Sequence, residues 1–363
     1  MSVCKLITHN FRNLVGATID FHPDTNFIVG DNGSGKSSIL EAIFYLGHGK
    51  SFRTSNVSNV VTNNFSKFVV SIQDEKCKQL GISRDSVTGD TEIKIDGQKQ
   101  SRLSELAKNI AVQIITPESF KLFSGGPKER RRFLDLGLFH VKHDFSGHWR
   151  DFAKVLRQRN ACLKNRDNIA TLEYWDQAFC KHADIVSDYR HHYVSALVAE
   201  VRIWIDVLLP KISSEVEINY IRGWNSKRTL AQILSENRDR ELSFGYSLFG
   251  PHKFDVKILF DKQPIESVLS RGQQKLFLLA LTFAQAKLIE KVNQVKPILL
   301  IDDVGAELDI NSRSLLSTAI DKLNCQVIIT AIDKIVLEPF VPTNKNYKMF
   351  HVKHGDISVM SEC

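Results

Sequence analysis

"FIVGDNGSGKSSILEAIFYLGHG", Phe27–Gly49, places an apolar run, a glycine-rich loop and a helix-forming segment in direct succession. Gly30-Asp-Asn-Gly-Ser-Gly-Lys36-Ser37 fits GxxxxGK[ST] in full. Glycines at those positions let backbone N–H groups turn onto phosphate oxygens. Lys36 can reach the terminal phosphates, and Ser37 offers a hydroxyl to Mg²⁺. The expected nucleotide-binding residues are therefore Gly30, Asp31, Asn32, Gly33, Ser34, Gly35, Lys36, Ser37 and Ser38.

Such a loop works with an acid on a neighbouring strand. "PILLIDDV", Pro297–Val304, supplies four apolar residues and then Asp302 and Asp303. A buried strand of that kind delivers both carboxylates to its carboxyl end, where ligands of α/β sheets bind. Asp302 is expected in the Mg²⁺ shell, and Asp303 as the group that orients or deprotonates the attacking water. Lys36 and Asp302 are 266 residues apart. Compact GTPases and nucleotide kinases do not separate these elements so far.

The bulk composition bounds the rest. A chain of 363 residues is long for one core, so two lobes are expected. Hydrophobic residues make up 43% and charged residues 25%, an ordinary globular balance. The six cysteines are scattered without a CxxC pair, which fits reduced thiols in the cytoplasm. The start, "MSVCKLITHNFRN", is too polar for a signal peptide, and the apolar "LFLLALTFAQA" is half a membrane span. No membrane role is expected.

The net charge of +7 is unevenly placed. Residues 121–166 carry twelve Lys/Arg against four acids, so the surplus sits in this stretch. Arg150, Lys154, Arg157 and Lys164 fall on one face of a helix, opposite Trp149, Phe152, Leu156 and Leu163. A basic stripe can track a phosphate backbone without reading bases, whereas a bare charge run is also what a solvated helix face looks like. With Lys128, Arg130, Arg131 and Arg132, these are the expected DNA contacts, with one arginine of the triplet pairing internally with Asp135 or Glu129. Arg53 and Arg84 are further basic residues considered for DNA. His48, His140 and His182 have no ligand spacing and read as caps or surface groups.

Along the chain, "VCKLIT", "ATIDF" and "NFIVG" read as strands, and residues 67–100 as an antiparallel meander with a hairpin at Asp96-Gly97. Helices are expected from Pro127, over 145–166, and from Glu173 to Leu208. "EVEINYI", "ELSFGYS" and "FDVKILF" read as strands, and "KMFHVKHGDISVM" as an edge hairpin. The fold class is α/β: a P-loop mixed sheet plus antiparallel meander over 1–126 and 241–363, with a helical arm inserted at 127–240.

"LSRGQQK", Leu269–Lys275, opens a helix some thirty residues before Asp302. A helix N-terminus bearing Ser270 and Gly272 is a second anion site. The loop at Gly30–Ser37 already serves the chain's own nucleotide, so Ser270, Gly272 and Gln273 suit the γ-phosphate held by a second copy. Ser-x-Gly is also a common helix cap. In order with the P-loop, the paired acids and "AELD" (306–309), it matches the signature motif of ABC-type ATPases.

The ensemble resembles the RecF family of bacterial DNA replication and repair ATPases, related to SMC heads. "NFRN" (10–13), "GDNGSGKSSILEAIFYLGHGKSFRT" (30–54), "ITPESF" (115–120), "GGPKERRRFLD" (125–135), "GPHK" (250–253), "LSRGQQK" and "LIDDVGAELD" (300–309) carry the likeness nearly end to end. The resemblance implies ATP and Mg²⁺, slow DNA-stimulated hydrolysis, an ATP-driven homodimer, DNA binding at single-strand gaps, and help in loading RecA with RecR and RecO. It also implies that Arg12 lies over the nucleotide phosphates and that Gln113 stands for the Q-loop glutamine near the metal. Three departures stand out. Asp303 replaces the glutamate of general ABC ATPases. "VIITAID" holds Thr330 and Ala331 where transporters carry a switch histidine. Phe254 replaces an acid after "GPH". A transporter ATPase subunit and a short SMC-like clamp are the alternatives. Copurification with a membrane protein would favour the first, and an arm of about 115 residues is too short for a long coil in the second.

Overall fold

The computed structural model describes residues 2–165, 169–212, 215–293, 296–304, 308–342 and 346–362. Ala306 and Glu307 of "AELD", and Arg166 of the basic stretch, lie outside the described residues. The contacts group residues 1–120, 204–210 and 270–363 into one unit and 121–203 with 211–269 into a second.

The first unit opens with β1 (Val3–Phe11), β2 (Leu14–Asp20) and β3 (Thr25–Val29), followed by α1 (Lys36–His48). The meander is β4 (Lys67–Asp74), β5 (Gln79–Asp85), β6 (Thr91–Ile95) and β7 (Gln98–Gln100). α2 (Leu103–Asn109) and β8 (Val112–Ile115) complete this half. Strands β2-β1-β4-β5-β6-β7 form an antiparallel sheet. β4 alternates buried and less buried residues along its length, the pattern of a strand with one face on a core.

The second unit contains α3 (Lys121–Ser124), α4 (Pro127–Val141), α5 (Phe145–Asn165) and α6 (Ile169–Leu208), whose last residues from Trp204 group with the first unit. Then come β9 (Val216–Ile221), α7 (Leu230–Glu236), α8 (Arg238–Phe244), β10 (Asp255–Phe260), β11 (Gln263–Pro264) and α9 (Ile265–Val268). β10 pairs with β9 from Asp255↔Ile221 to Phe260↔Val216. That pairing ties residues on both sides of the expected 240/241 boundary into one sheet, so the boundary is corrected. The expected strand "ELSFGYS" is also corrected, because its first residues form the end of α8. Gly245, at φ 73, closes the helix by donating to the Glu241 carbonyl. The helix turns Glu241 inward, where its carboxylate accepts from the buried Arg159 at 2.6 Å.

The chain returns to the first unit through α10 (Arg271–Asn293), β12 (Ile298–Ile301), α11 (Ile310–Asp321), β13 (Gln326–Ala331), β14 (Tyr347–Lys353) and β15 (Asp356–Glu362). The second sheet runs β15-β14-β3-β13-β12-β8, parallel except for the β14–β15 hairpin. "KMFHVK" is therefore an interior strand beside β3, and of the hairpin only β15 lies at an edge of the sheet. Every residue of β3, β12 and β13 is buried, as expected for parallel strands covered on both faces. Ile39, Leu40, Ile43 and Leu46 of α1 join one core with both sheets. Each such side chain contributes about 1.5–3 kcal/mol on burial.

Candidate nucleotide site

Register places the site. Val29 pairs with Ala331, and Ile329 pairs with Ile301. The loop after β3 and the acids after β12 thus emerge at the same end of the sheet, with β13 between them. Two glycines are required at the turn. Gly30 has φ 155, and a Cβ there would meet the Val352 carbonyl at 2.3 Å. Gly35 has φ 123, and a Cβ would strike the Asn13 amide at 2.7 Å. Gly35 also caps α1 without a side-chain acceptor, which leaves the N–H groups of Lys36 and Ser37 for an anion, while the Ser38 N–H donates to the Gly35 carbonyl.

Lys36 Nζ donates to the carbonyls of Gly30 and Asp31 at 2.7 and 3.0 Å. Burial pushes its pKa down, against the pull of Asp303, Asp302 and Asp31. Asn13 clasps the loop: its amide donates to the Ser34 carbonyl, and its oxygen accepts from Ser38 Oγ at 2.8 Å.

Opposite the loop, Ser37 Oγ donates to Asp302 Oδ1 at 3.0 Å. Thr330 Oγ1 donates to the same oxygen at 2.8 Å and accepts the Asp303 N–H at 2.8 Å. Thr330 is buried at the end of β13, so it occupies the place where a switch histidine was absent and ties the two acids together. Burial pushes the Asp302 carboxyl upward, opposed by the Thr330 and Ser37 hydroxyls and helped by Asp303. Asp303 holds φ 51, and its buried Oδ1 has no hydrogen-bond partner among the described residues. An ordered acceptor left unpaired at a strand end is poised to take a hydrogen bond from a bound water or ligand.

An open cavity of about 540 Å³ joins these groups; Asn32, Gly33, Gly35, Lys36, Ser37, Ser38, Asp302 and Asp303 line it, with Arg12, Asn13, Arg53 and Asn59 on its wall. The donor set fits a nucleotide with Mg²⁺: a lysine and helix-start N–H groups for phosphate, and a hydroxyl beside a carboxylate for a hard cation. Gly30, Asp31 and Ser34 do not line the cavity, and their carbonyls within the loop bind Lys36 and Asn13. Arg12 lines the cavity, but its guanidinium is held by Glu41 through Nε and Nη2 at 3.0 and 2.7 Å. Arg53, considered for DNA, lines this cavity instead, and Arg84 donates to Tyr45 Oη at 3.3 Å.

Gln113 is a correction. It lies within β8, paired with Leu299, and is buried outside the cavity lining, because β8 runs two residues further to Ile115. Ser270 and Gln273 form a reciprocal cap at the start of α10: Ser270 N donates to Gln273 Oε1 at 2.9 Å, and Gln273 N donates to Ser270 Oγ at 3.3 Å. Ser270 is exposed, and a Cβ on Gly272 would meet open space. None of the three lines the cavity of its own chain.

The basic residues divide. Arg130 is turned inward and grips Asp255 with two hydrogen bonds at 2.9 and 2.8 Å, and Arg131 donates to the Phe254 carbonyl at 2.9 Å. Their expected place on a DNA-facing surface is corrected, since a half-buried guanidinium needs an internal acceptor. Asp135 pairs with Arg190 instead of the triplet, and Arg190 lies 3.8 Å from the Phe254 ring centre, which accounts for an aromatic after "GPH". Arg159, part of the local surplus, is buried between Asp176 and Glu241. Lys128, Arg132, Arg150, Lys154, Arg157 and Lys164 are exposed, although Arg132 also approaches Glu129 at 3.8 Å. His140 is buried and so is not a surface group, while the half-buried His48 stacks on Phe44 with its Nε2 2.9 Å from the Val112 carbonyl.

A P-loop after β3, paired acids after β12 and a serine-capped helix start define an ATPase head of the SMC type. A family model described as the RecF/RecN/SMC N terminal domain matches residues 2–358. The DNA replication and repair protein RecF of Colwellia psychrerythraea is 58% identical over 98% of this chain and 97% of its own. That of Shewanella baltica is 39% identical over 99% and 100%. A solved structure of the recombination mediator RecF with ATP superposes with TM-score 0.85 at 26% identity, covering 99% of this chain and 98% of that one. An SMC head bound to a ScpA domain shares the fold at TM-score 0.55 and 18% identity, over 99% and 97%. The chain belongs to the RecF family. That membership sets aside the transporter-subunit alternative. Among the described residues, no helix is long and apolar enough to cross a membrane.

Proposed function

We propose that the chain is an ATP-driven dimer that binds DNA at single-strand gaps and, with RecR and RecO, helps to load RecA. Its relatives are named for DNA replication and repair, and a solved relative for the RecFOR pathway. In this proposal Lys36, the loop N–H groups and Arg12 hold the triphosphate, while Ser37 and Asp302 hold Mg²⁺. The cation, when bound, screens phosphate charge and polarises the terminal phosphoryl group. Thr330 fixes Asp302, and Asp303 orients the attacking water through its unpaired oxygen. Ser270 and the N–H groups at the tip of α10 seal the nucleotide of a second copy. Hydrolysis removes the bridging γ-phosphate and opens the dimer.

The observation that carries most of this is the exposed Ser270 at the tip of α10, next to the open space at Gly272 and outside the cavity of its own chain. The exposed Arg150, Lys154 and Arg157 on one helix support contact with a phosphate backbone. The test is affinity for gapped DNA with and without ATP. ATP should tighten binding in the wild type and leave Lys36→Ala unchanged. Equal tightening in both would refute the coupling.

A further inference from the structure

Glu41 lies on α1, five residues past Lys36, and its carboxylate is fully buried. A buried carboxylate is costly unless paired and hydrogen-bonded. Here Arg12 supplies a two-pronged grip at 3.0 and 2.7 Å, and Ser51 Oγ donates to Oε1. The Arg53 guanidinium stands 4.0 Å away.

The rest of Arg12 is also pinned. Its N–H donates to the Val60 carbonyl at 2.7 Å, its carbonyl accepts from Thr62 Oγ1 at 2.6 Å, and Nη1 donates to the Asn59 carbonyl. Its φ of 55 is one a non-glycine residue holds only when its surroundings insist. A guanidinium has five N–H groups in a rigid fork. Three are used in these contacts, and one on each Nη remains without a partner among the described residues. Arg12 lines the cavity with Lys36, while Glu41 does not reach it.

We propose that Glu41 is a positioning residue. It touches no nucleotide, but it locks the Arg12 fork in the orientation that presents the two remaining N–H groups to phosphate. The proposal rests on ATP occupying this cavity. Electrostatics alone argues the opposite sign, since a carboxylate close to a polyphosphate repels it. Removing that charge without a positioning role would tighten ATP binding. The sign of the effect therefore separates the two. In Glu41→Gln an amide NH₂ would face one prong of the fork, donor against donor, and break the two-pronged grip.

The experiment is calorimetric titration of ATP–Mg²⁺ into the full chain: wild type, Glu41→Gln, Arg12→Ala and the double variant, with a melting curve for each. Glu41→Gln should weaken ATP about 10- to 100-fold, the range lost when an orienting partner of a liganding side chain is removed. The double variant should bind no worse than Arg12→Ala. A folded Glu41→Gln protein with unchanged or tighter affinity overturns the proposal, as do losses that add in the double variant. If Glu41→Gln does not fold, Arg12→Lys keeps the counter-charge and loses the fork. It should show the same loss, and wild-type affinity there overturns the proposal. Lys36→Ala tests the cavity separately: wild-type ATP affinity in that variant removes the ATP assignment and this proposal with it.

Discussion

The Ser37 hydroxyl donates to the Asp302 carboxylate across 3.0 Å, joining residues 265 apart in the chain. Thr330 donates to the same oxygen, so two hydroxyls and a carboxylate converge beside the phosphate loop. Asp302→Asn should abolish the part of ATP affinity that depends on Mg²⁺ and leave the metal-free part intact. Calorimetry with and without Mg²⁺ measures both. Burial raises the Asp302 pKa, so its proton returns at a higher pH than for an ordinary aspartate. Mg²⁺-dependent affinity should fall early on the acid side, and Asp302→Asn should flatten that limb.

The same raised pKa has an opposite consequence for the fold. A carboxyl that holds its proton more tightly when folded favours the folded state at low pH and costs stability once ionised. Asp302→Asn should therefore stabilise the free protein at neutral pH, as read by urea denaturation. Lower stability would mean that the Ser37 and Thr330 hydroxyls outweigh the burial.

Thr330→Val removes one hydroxyl that serves both acids. It should cost about 1–3 kcal/mol, since the Asp303 N–H and Asp302 lose a buried partner. The rate of ATP hydrolysis should fall further than ATP affinity. Steady-state turnover beside calorimetry separates the two effects.

The buried His140 and the half-buried His252 should make the second unit acid-sensitive. Burial pushes His140 and His252 down to about 4. Below about 6.5 the unfolded chain takes up protons that the folded chain refuses until about 4. Stability should decline across that window, and His140→Asn or His252→Asn should reduce the slope.

The exposed and inward arginines should behave differently with DNA. Neutralising Arg150, Lys154 and Arg157 should lower the log–log salt slope of duplex binding by about 0.9 per lost phosphate contact. Arg130→Ala should leave the slope unchanged and destabilise the protein by about 1–3 kcal/mol, because Arg130 is spent on Asp255. A slope change from Arg130→Ala would return it to the DNA surface.

Residues that announce their chemistry locally were legible in the chain. Gly30–Ser37 and Asp302–Asp303 each carry a motif, and the cavity joins them. Partnerships across long separations were not legible. Nothing near Arg130 names Asp255, 125 residues away, and nothing near Arg159 names Glu241. "ELSFGYS" alternates like a strand, yet its glutamate is needed inside by Arg159, and tertiary pairing overrode the local pattern. α7 was missed although Thr229 and Gln232 form a capping box that the spacing already displays. Thr330 and Glu41 have residue types too common to stand out, and only their neighbours reveal their place.

The most direct measurement is the mass of the ATP-loaded protein by multi-angle light scattering, for the wild type and for Ser270→Arg. The wild type should dimerise with ATP, whereas Ser270→Arg should bind ATP and stay monomeric. A wild type that remains monomeric when saturated with ATP, or a Ser270→Arg protein that dimerises equally well, would contradict the account.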